Sequence, residues 1–481
     1  MSAPLWTSAE IAAATGGTAL GAFEARGVAF DSREIGPGDL FIAMKGATAD
    51  GHRFVDAAFA VGAAGAVVGE PVEQPHVRVA DTFAALQDLG RAARARAPAT
   101  VIGVTGSVGK TGVKEALHAA LDRAAPGRAH RSVKSYNNHT GVPLSLARMP
   151  RDARFGVFEM GMNHEGELAA LTRLVRPHVA LVTAIASAHR EYFDSEEAIA
   201  DAKAEIFEGL EPGGTAIVPF DSPHRDRLIA AARPHAGRIL TFGLGEGADV
   251  RATCVVRGPR GGTLATASLP GAQLSFTIAP PGAHWVSNAL AVLAAVTAAG
   301  GDLAAAGLAL AELGGLKGRG ARLRVPVGGG EALLIDESYN ANPASMAATL
   351  AVLGEEAVAG RRIAVLGAMR ELGADSPAFH AALAGPMAAA KVDHAILVGA
   401  EMAALAKALG REVELEHVPD AATAAAVALE AVGPGDAVLV KGSNSIGLAA
   451  VVEALAGGPS ALAYPERRPQ ATAEALETGK G

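Results

Sequence analysis

The feature that most constrains the fold is a regular alternation of short apolar segments with helix-forming segments. In the middle of the chain, buried strands are predicted at ATVIGVTG, RFGVFEMG, VALVTAIA, GTAIVPF and RILTFG. The helical stretch TFAALQDLGRAARARA precedes them, and stretches such as SEEAIADAKAEIFEGL separate them. Strands that alternate with helices in this way predict a parallel sheet with helices on its faces. The last third of the chain repeats the pattern and predicts a small, doubly wound unit. Its predicted strands are EALLIDES, RRIAVLG, HAILVG and DAVLVKG, and its predicted helices are ASMAATLAVLG, AFHAALAGPMAAA, EMAALAKALG and SIGLAAVVEALAG.

The patterns predict three α/β domains and a tail in a chain of 481 residues. Residues 1–82 form a small mixed α/β domain, and residues 83–313 form the central parallel-sheet domain. Within the latter, the stretch from Ala252 to Ala279 predicts short antiparallel strands. Residues 314–457 begin with the glycine-rich linker GGLKGRG and form a C-terminal Rossmann-like domain. Residues 458–481 are rich in Pro, Ala and charge without periodicity, so we predict a disordered tail there.

Charge and cysteine content exclude several classes of protein. With 42 basic and 50 acidic side chains the formal net charge is −8, whereas nucleic acids and membrane surfaces select basic partners. Cys254 is the single cysteine, so no intrachain disulfide forms and a reducing compartment is indicated. The N-terminal segment MSAPLWTSAE lacks the basic and apolar regions of a signal peptide. We therefore expect a cytoplasmic monomer that neither binds nucleic acid nor inserts into a membrane.

The strongest local signal is the segment GSVGKT, which follows the strand ATVIGVT directly and precedes the helix-forming VKEALHAAL. Gly106 and Gly109 let backbone N–H groups turn toward a phosphate, and the helix N-terminus and Lys110 add positive charge. The hydroxyl of Thr111 can ligate Mg²⁺. The strict Walker pattern is not met, because Val104 stands where its first glycine belongs. A nucleoside triphosphate site is indicated; the alternative is a glycine-rich turn with a chance Lys-Thr.

Candidate metal ligands follow two of the predicted strands. Glu159 ends RFGVFEMG, and His189 comes a few residues after VALVTAIA, so both could reach the edge of the sheet that carries the phosphate loop. Taken alone, each residue is more often structural or solvated than functional, because single Glu and His residues are common at strand ends. Composition alone places Lys203 on an exposed helix face. Asn137 begins a loop whose simplest explanation is turn chemistry.

A dense polar cluster closes a strand of the last third. Asp336 is followed by Glu-Ser and then by Tyr339 and Asn340, and turn chemistry does not account for an acidic pair and a tyrosine at the end of an apolar strand. Lys441 closes the last strand in the same way. Arg319, in the glycine-rich linker, could reach over a phosphate or could be an ordinary solvated arginine.

Taken in order, these segments resemble the Mur ligase family, whose members form amide bonds with ATP during peptidoglycan precursor synthesis. The resemblance extends to about residue 457, and its most specific parts are ASAHREYFDSEEAIADAKAEIFEGL and DESYNANPASMAATL. It implies an ATP-dependent ligase that joins D-alanyl-D-alanine to UDP-N-acetylmuramoyl-tripeptide through an acyl phosphate. The first domain would hold the UDP-sugar, the second would be the P-loop ATPase domain, and the third would be Rossmann-like.

The resemblance also implies roles for individual residues. Two Mg²⁺ ions are expected, and Lys203 matches a lysine that is carbamylated and then acts as a metal ligand. Lys110, Lys203 and His189 would be catalytic, and the metal ligands would be Thr111, Glu159, His189 and Lys203. ATP would contact Gly106, Ser107, Val108, Gly109, Lys110, Thr111, Asn288, Arg319, Asp336, Tyr339 and Asn340. Ser32 and Arg33, in the segment FDSRE, would bind the UDP-sugar.

Four positions depart from the family pattern. Gly112 stands where the family commonly has threonine, and His139 stands where it often has an acidic residue. Trp285 replaces the usual asparagine, and Ala368 replaces a usual acidic residue. Trp285 bears on the adenine contacts and Ala368 on a contact of the third domain.

Other interpretations stay open. The diaminopimelate- or lysine-adding ligase shares the first-domain motif, but its Asp-Asn-Pro-Arg segment is missing here. A folylpolyglutamate synthase would not explain FDSRE. A P-loop ATPase that switches a partner leaves the first domain unexplained, and a non-enzymatic nucleotide-binding module leaves the acidic cluster unexplained.

Overall fold

In the computed structural model, three sheets and one short ribbon carry the strands. The structure describes residues 3–46, 50–187, 190–258, 262–411 and 413–457, so the tail predicted for 458–481 lies outside the described residues. Compactness divides the chain into two units. The first contains the residues up to Leu313 with Glu371–Gly373, and the second contains Gly314–Arg370 and the described residues from Ala374 onward.

The first seven strands belong to the N-terminal part of the first unit. β1 to β7 are Trp6–Thr7, Thr18–Leu20, Glu24–Ala25, Gly27–Ala29, Asp39–Ile42, Gly65–Val68 and His76–Arg78. Helices α1 to α3 are Ser8–Thr15, Val55–Ala60 and Thr82–Arg96. Five strands form a sheet in the order β2-β7-β6-β5-β4, in which only β2 is antiparallel to its neighbour. β1 and β3 form the ribbon.

Helix α3 explains why the first two sheets share one compact unit. Its start is set by Asp81, whose carboxylate accepts the N–H groups of Phe83 and Ala84 and so caps the helix. Leu86 and Leu89 are fully buried in one core with Leu144, which belongs to a helix of the central part. The predicted boundary between residues 82 and 83 stays a prediction.

A nine-stranded sheet forms the central part of the first unit. β8 to β16 are Thr100–Thr105, Ala129–Arg131, Phe155–Glu159, Val179–Val182, Thr215–Pro219, Arg238–Gly243, Val250–Arg257, Thr263–Leu269 and Ala272–Ile278. Their order is β16-β15-β14-β13-β12-β11-β8-β10-β9. The strands from β9 to β14 run parallel, and β14, β15 and β16 pair antiparallel, as predicted from Ala252 to Ala279. β8, which leads into the phosphate loop, lies inside the sheet between β10 and β11.

Helices cover this sheet. α4 to α10 are Lys110–Ala124, Gly141–Ala147, Glu167–Val175, Glu196–Ala204, Arg225–Ala232, His284–Ala298 and Leu303–Ala311. The stretch predicted as one helix, SEEAIADAKAEIFEGL, is α7 followed by a 3₁₀ turn at Glu205–Gly209. No described helix is both long enough and apolar enough to cross a membrane.

The second unit contains a six-stranded sheet in the order β17-β18-β22-β19-β20-β21. β17 to β22 are Ala321–Val327, Gly330–Glu337, Arg362–Gly367, His394–Val398, Glu414–Val418 and Ala437–Lys441. α11 to α16 are Pro343–Glu355, Ser376–Ala381, Ala384–Ala389, Ala403–Leu409, Ala421–Ala431 and Ala449–Leu455. The pattern missed β17 and β21. It also joined α12 to α13, which are separate; Pro386 has no N–H to continue a helix from α12. The predicted α/β fold class is confirmed.

Candidate active site

Two glycines shape the loop between β8 and α4. Gly106 has φ +147° and Gly109 has φ +87°, which are conformations that other residues rarely adopt. A Cβ on Gly106 would lie 2.0 Å from the hydroxyl oxygen of Thr183, so no larger residue fits there. Lys110 opens α4, and its ammonium donates to the carbonyl oxygen of Gly106 at 2.6 Å. The loop therefore combines glycine-dependent curvature, a helix N-terminus and a cation, as a phosphate site requires.

The two residues between the glycines fasten the loop to the segment after β11. The hydroxyl of Ser107 donates to the carbonyl of Ala186 at 2.9 Å, and the hydroxyl of Thr183 donates to the carbonyl of Val108 at 2.5 Å. These side chains thus shape the loop, and the backbone N–H of Ser107 also donates to the carbonyl of Ala184 at 2.8 Å. The other backbone N–H groups of the loop are the candidates for phosphate contacts. His189 lies outside the described residues, so its predicted role as a metal ligand and catalytic group stays a prediction.

Glu159 lies at the same edge of the sheet as the phosphate loop. β10 runs parallel to β8 with Glu159 opposite Val104, so its side chain emerges beside the first turn of α4. The hydroxyl of Thr111 donates to Oε2 of Glu159 at 2.8 Å, and the amide of Asn137 donates to Oε1 at 2.8 Å. Glu159 is 1% exposed, so this carboxylate is held rigidly. The structure therefore brings two of the predicted metal ligands together.

Lys203 is buried rather than exposed. It lies near the end of α7 and is 1% exposed, which shows that the interpretation as a solvated helix lysine is wrong. Burial, followed by the nearby charge of Lys110, lowers the pKa of Lys203 well below its ordinary value. Helix composition could not reveal this burial, since it depends on which face of α7 meets the sheet. A pKa lowered in this way favours the neutral amine over the ammonium.

The oxygen atoms of Thr111 and Glu159 suit a hard divalent cation such as Mg²⁺. Their side chains already touch, so one ion could replace the hydrogen bond between them. Within the described ranges, no group of three or more His, Cys, Asp or Glu side chains could hold a metal. Of the predicted ligands, Thr111, Glu159 and Lys203 lie among the described residues, with Lys203 expected to act as a carbamate, and His189 lies outside them.

Two departures from the family pattern are neighbours in space. A Cβ on Gly112 would lie 3.0 Å from Cη2 of Trp285, so the absence of a side chain at Gly112 makes room for the indole. Asn288 lies one turn further along α9 against the phosphate loop, since a Cβ on Gly109 would be 2.7 Å from its Oδ1. Asn288 therefore stands where a nucleotide on the loop would be within its reach.

The other two departures are also accounted for locally. Ala368 is fully buried between the ends of neighbouring strands, where its N–H donates to the carbonyl of Val398 at 3.1 Å. An acidic side chain there would need a buried partner. The ring of His139 packs edge-on against Phe83, with centroids 5.8 Å apart.

In the second unit, Asp336 organises the glycine-rich turn that carries Arg319. It is 1% exposed, and its carboxylate accepts the N–H of Gly318 at 2.7 Å and the hydroxyl of Ser338 at 2.6 Å. The guanidinium of Arg319 lies 4.2 Å from the ring centroid of Tyr339. The predicted residues of this unit therefore form one cluster, but the carboxylate of Asp336 already accepts hydrogen bonds from other groups of the protein.

A buried ion pair lies beneath this cluster. Nζ of Lys441 is 3.5 Å from Oε2 of Glu337 and donates to the carbonyl oxygen of Asn340 at 2.9 Å. Burial raises the pKa of Glu337 and lowers that of Lys441. The sequence pointed to Lys441 as a strand-end residue, but not to its contact with Asn340. Through that contact Lys441 fixes the backbone of a predicted ATP-binding residue, while Asn340 and Tyr339 stay exposed.

The predicted UDP-sugar residues lie in a 3₁₀ turn at Ser32–Glu34. Asp31 precedes the turn, and its side chain accepts the backbone N–H of Arg33 at 3.0 Å. The hydrogen bonds from the side chain and backbone of Arg33 lower the pKa of Asp31 to about 2. The side chain of Arg33 is 88% exposed, so its guanidinium is accessible to a ligand.

Three family profiles match consecutive parts of the chain. They are described as the Mur ligase family catalytic domain, matching residues 24–105, the Mur ligase middle domain, matching 104–296, and the Mur ligase glutamate ligase domain, matching 322–444. Together they match most of the chain in the order in which the predicted domains occur.

Curated relatives and solved structures agree with these profiles. A UDP-N-acetylmuramoyl-tripeptide–D-alanyl-D-alanine ligase of Escherichia coli K12 is 36% identical, over 89% of this chain and 93% of its own length. The enzyme of that name from Bacillus subtilis is 33% identical over 90% and 93%. A crystal structure of MurF from Acinetobacter baumannii has a TM-score of 0.80 at 32% identity, and covers 94% of this chain and 98% of its own. For a Thermotoga maritima MurF ligase in complex with ADP, the TM-score is 0.72 at 26% identity, with coverage of 89% and 96%. The chain therefore belongs to the Mur ligase family.

Proposed function

We propose that this protein is an ATP-dependent ligase that joins D-alanyl-D-alanine to UDP-N-acetylmuramoyl-tripeptide in the synthesis of peptidoglycan precursors. The observation that carries the proposal is the 36% identity, over 89% of the chain, to a relative that bears the name of this ligase. The phosphate loop and Glu159 support it, because they supply the parts that activation by ATP requires.

The reaction needs ATP because a carboxylate is a poor acyl donor. An oxygen of the tripeptide carboxylate attacks the γ-phosphorus of ATP, and ADP leaves. The neutral amine of D-alanyl-D-alanine then attacks the acyl carbon, and phosphate leaves as the C–O bond breaks and the nitrogen loses a proton. Both steps build up negative charge on oxygen atoms, so the protein contributes mainly by positioning and charge neutralisation.

The residues of the first unit would divide this work among them. Backbone N–H groups of Gly106–Gly109 would cradle the phosphates, and Lys110 would turn from the Gly106 carbonyl to the transferred phosphoryl group. Two Mg²⁺ ions would neutralise charge on the phosphate oxygens. Thr111, Glu159, His189 and a carbamylated Lys203 would hold these ions.

Carbamylation of Lys203 is supported by its burial and its lowered pKa. The neutral amine attacks CO₂, loses a proton and becomes a carbamate with two oxygen atoms, which suit Mg²⁺ where an ammonium does not. Lys203→Ala should abolish most activity, and acetate should restore part of it by filling the vacated space. A Lys203→Ala enzyme with normal activity would refute the carbamate.

The remaining assignments complete the proposal. The domains would be 1–82 for the UDP-sugar, 83–313 for ATP and 314–457 for closure over the reactants, with a tail at 458–481. Besides the phosphate loop, ATP would contact Asn288, Arg319, Asp336, Tyr339 and Asn340. The UDP-sugar would contact Ser32 and Arg33 in the first 3₁₀ turn. The protein would act as a cytoplasmic monomer.

A reconstituted assay tests the function directly. The protein is incubated with Mg²⁺, ATP, UDP-N-acetylmuramoyl-tripeptide and D-alanyl-D-alanine, while phosphate release and product mass are followed. We expect phosphate release to require both substrates and to match product one to one. Phosphate release with ATP alone would favour the switch-ATPase interpretation instead.

A further inference from the structure

Lys114 is a buried cation directly below the candidate metal site. It lies one helical turn after Lys110 on α4 and is 0% exposed. Its Nζ donates to the carbonyl oxygens of Ser132 at 3.1 Å and Lys134 at 2.6 Å. A buried ammonium is costly unless it is well paired, and an apolar residue usually serves stability as well or better. The presence of a lysine here therefore calls for a reason other than packing.

Two carboxylates complete the surroundings of this ammonium. Nζ is 3.1 Å from Oε1 of Glu115 and 3.8 Å from Oε2 of Glu159, the candidate metal ligand. The ammonium of Lys114 thus contacts a neighbouring residue of α4, the residue at the end of β10 and the loop after β9. Its charge offsets that of Glu159, and its hydrogen bonds fix the loop.

The loop that Lys114 holds, residues 132–137, contacts the candidate metal site at both of its ends. The hydroxyl of Ser132 accepts the backbone N–H of Glu159 at 3.2 Å, and the amide of Asn137 donates to the carboxylate of Glu159 at 2.8 Å. Lys134 has φ +53°, a left-handed conformation that is unfavourable for a lysine. Its carbonyl oxygen is the one closest to Nζ of Lys114, so Lys114 supports the strained residue.

The middle of the same loop contacts the predicted UDP-sugar turn. The ammonium of Lys134 pairs with the carboxylate of Glu34, and the hydroxyl of Tyr136 donates to Oε1 of Glu34 at 2.8 Å. Glu34 is the last residue of the 3₁₀ turn that contains Ser32 and Arg33. A continuous set of contacts therefore runs from Glu159, through Lys114 and loop 132–137, to the UDP-sugar turn.

We propose that Lys114 is a positioning residue, which fixes loop 132–137 so that the acceptor substrate is held in register with the phosphate loop. The proposal rests on the proposed function. It differs from a purely structural role in what it affects, because loss of Lys114 should disturb binding of the UDP-linked acceptor more than binding of the nucleotide. The nucleotide contacts of Lys110 and of the Gly106–Gly109 backbone do not pass through the loop.

The test compares Lys114→Met with a matched buried cation elsewhere. Arg94 is 7% exposed and donates to the carbonyl oxygens of Val175 at 2.9 Å and Arg176 at 2.7 Å, with none of the predicted site residues among its partners. Arg94→Met therefore removes a similar set of contacts. Both variants should unfold at a lower temperature than the wild type, because each removes the donor but leaves its buried acceptors in place. If Lys114→Met gives no soluble protein, Lys114→Gln takes its place, because its amide can still donate to one carbonyl.

The kinetic constants separate the two roles. Lys114→Met should raise the KM for UDP-N-acetylmuramoyl-tripeptide by about tenfold and lower kcat, which is the size of effect expected for coupled neighbours. The Kd of Lys114→Met for ADP, measured by calorimetry, should change by less than about threefold, because the nucleotide contacts do not depend on the loop. Arg94→Met should keep the wild-type acceptor KM. An unchanged acceptor KM in an active Lys114→Met enzyme would overturn the proposal.

A double-mutant cycle tests the route through the loop. In a Glu34→Gln background, Lys114→Met should raise the acceptor KM by less than about twofold, because the two residues act through the same loop. Fully additive effects would overturn this route. A wild-type protein without ligase activity would overturn the proposed function and this inference with it, whereas an active wild type without the KM effect would overturn the inference alone.

Discussion

At the scale of single residues, Lys110 is the group on which the phosphate-site assignment depends most. Its ammonium rests on the Gly106 carbonyl at 2.6 Å and is positioned to meet the charge that develops during phosphoryl transfer. We expect Lys110→Ala to lower turnover by about 10²-fold or more, as for removal of a preorganised electrostatic donor. Steady-state ligation assays measure this, with the exposed Lys407→Ala as control. Near-normal ligation by Lys110→Ala would contradict the assignment.

Lys203 makes a prediction about stability and pH. The unfolded chain keeps this lysine protonated up to about pH 10.4, whereas burial and Lys110 lower its pKa in the fold. The unfolded state therefore binds more protons between the two pKa values, so the wild type gains stability as pH rises through that interval. Lys203→Met lacks this proton linkage. Without metal and CO₂ it should be more stable than the wild type at pH 7, with a difference that shrinks toward pH 10.

Denaturation of both proteins at pH 7, 8 and 9 measures the difference. A constant gap between the wild type and Lys203→Met over this range would mean that Lys203 does not lose its proton on folding. Other groups titrate in the same way in both proteins, so they cancel in the comparison.

Residues at strand ends were predictable, and residues whose role depends on packing were not. Glu159 could be placed beside the phosphate loop because parallel strands bring their carboxyl ends to one edge. The burial of Lys203 depends on how α7 meets the sheet, and the contact of Asp336 with Gly318 depends on the hairpin of β17 and β18, which the pattern missed. Family resemblance supplied the role of Lys203, but not the physical reason for it.

At the scale of elements, the contact between α4 and α9 makes the departures at Gly112 and Trp285 one feature. Gly112→Thr should destabilise the protein by about 1–3 kcal/mol, because the new side chain overlaps the indole. In a Trp285→Asn background the same change should cost much less. Chemical denaturation of the wild type, the two single variants and the double variant gives the coupling energy. Additive effects would contradict the contact between Gly112 and Trp285.

Element prediction succeeded where apolar strands are separated by helices with clear ends. α3 matches its predicted stretch because Asp81 caps it, and the strands from β10 to β13 match because each is apolar and bounded by turns. β9, β17 and β21 are edge strands that the pattern missed. β9 has three residues, β21 is mostly polar, and arginines interrupt the apolar residues of β17. Their pairing partners, rather than their own composition, make them strands.

At the scale of the whole molecule, the two compact units have separate hydrophobic cores. The core of the second unit contains Val365, Val398 and Val440 from its own parallel strands, and the first unit has cores around β8 and around α3. Units with separate cores can unfold in separate steps. The proposed nucleotide ligands occur in both, with Lys110 and Asn288 in the first unit and Asp336 in the second.

This distribution predicts how ADP affects thermal unfolding. A ligand stabilises whatever it binds, by about 2.7 kcal/mol at 100 times its Kd. We therefore expect calorimetry to show two transitions in the wild type, both raised by ADP with Mg²⁺. Asp336→Asn should keep the shift of the first transition and lose that of the second. Ser338→Ala removes a hydroxyl that donates to Asp336 at 2.6 Å but leaves the carboxylate, so it should keep both shifts. An equal shift of the second transition in Asp336→Asn, at matched multiples of Kd, would mean that Asp336 serves the turn at Gly318 and not the nucleotide.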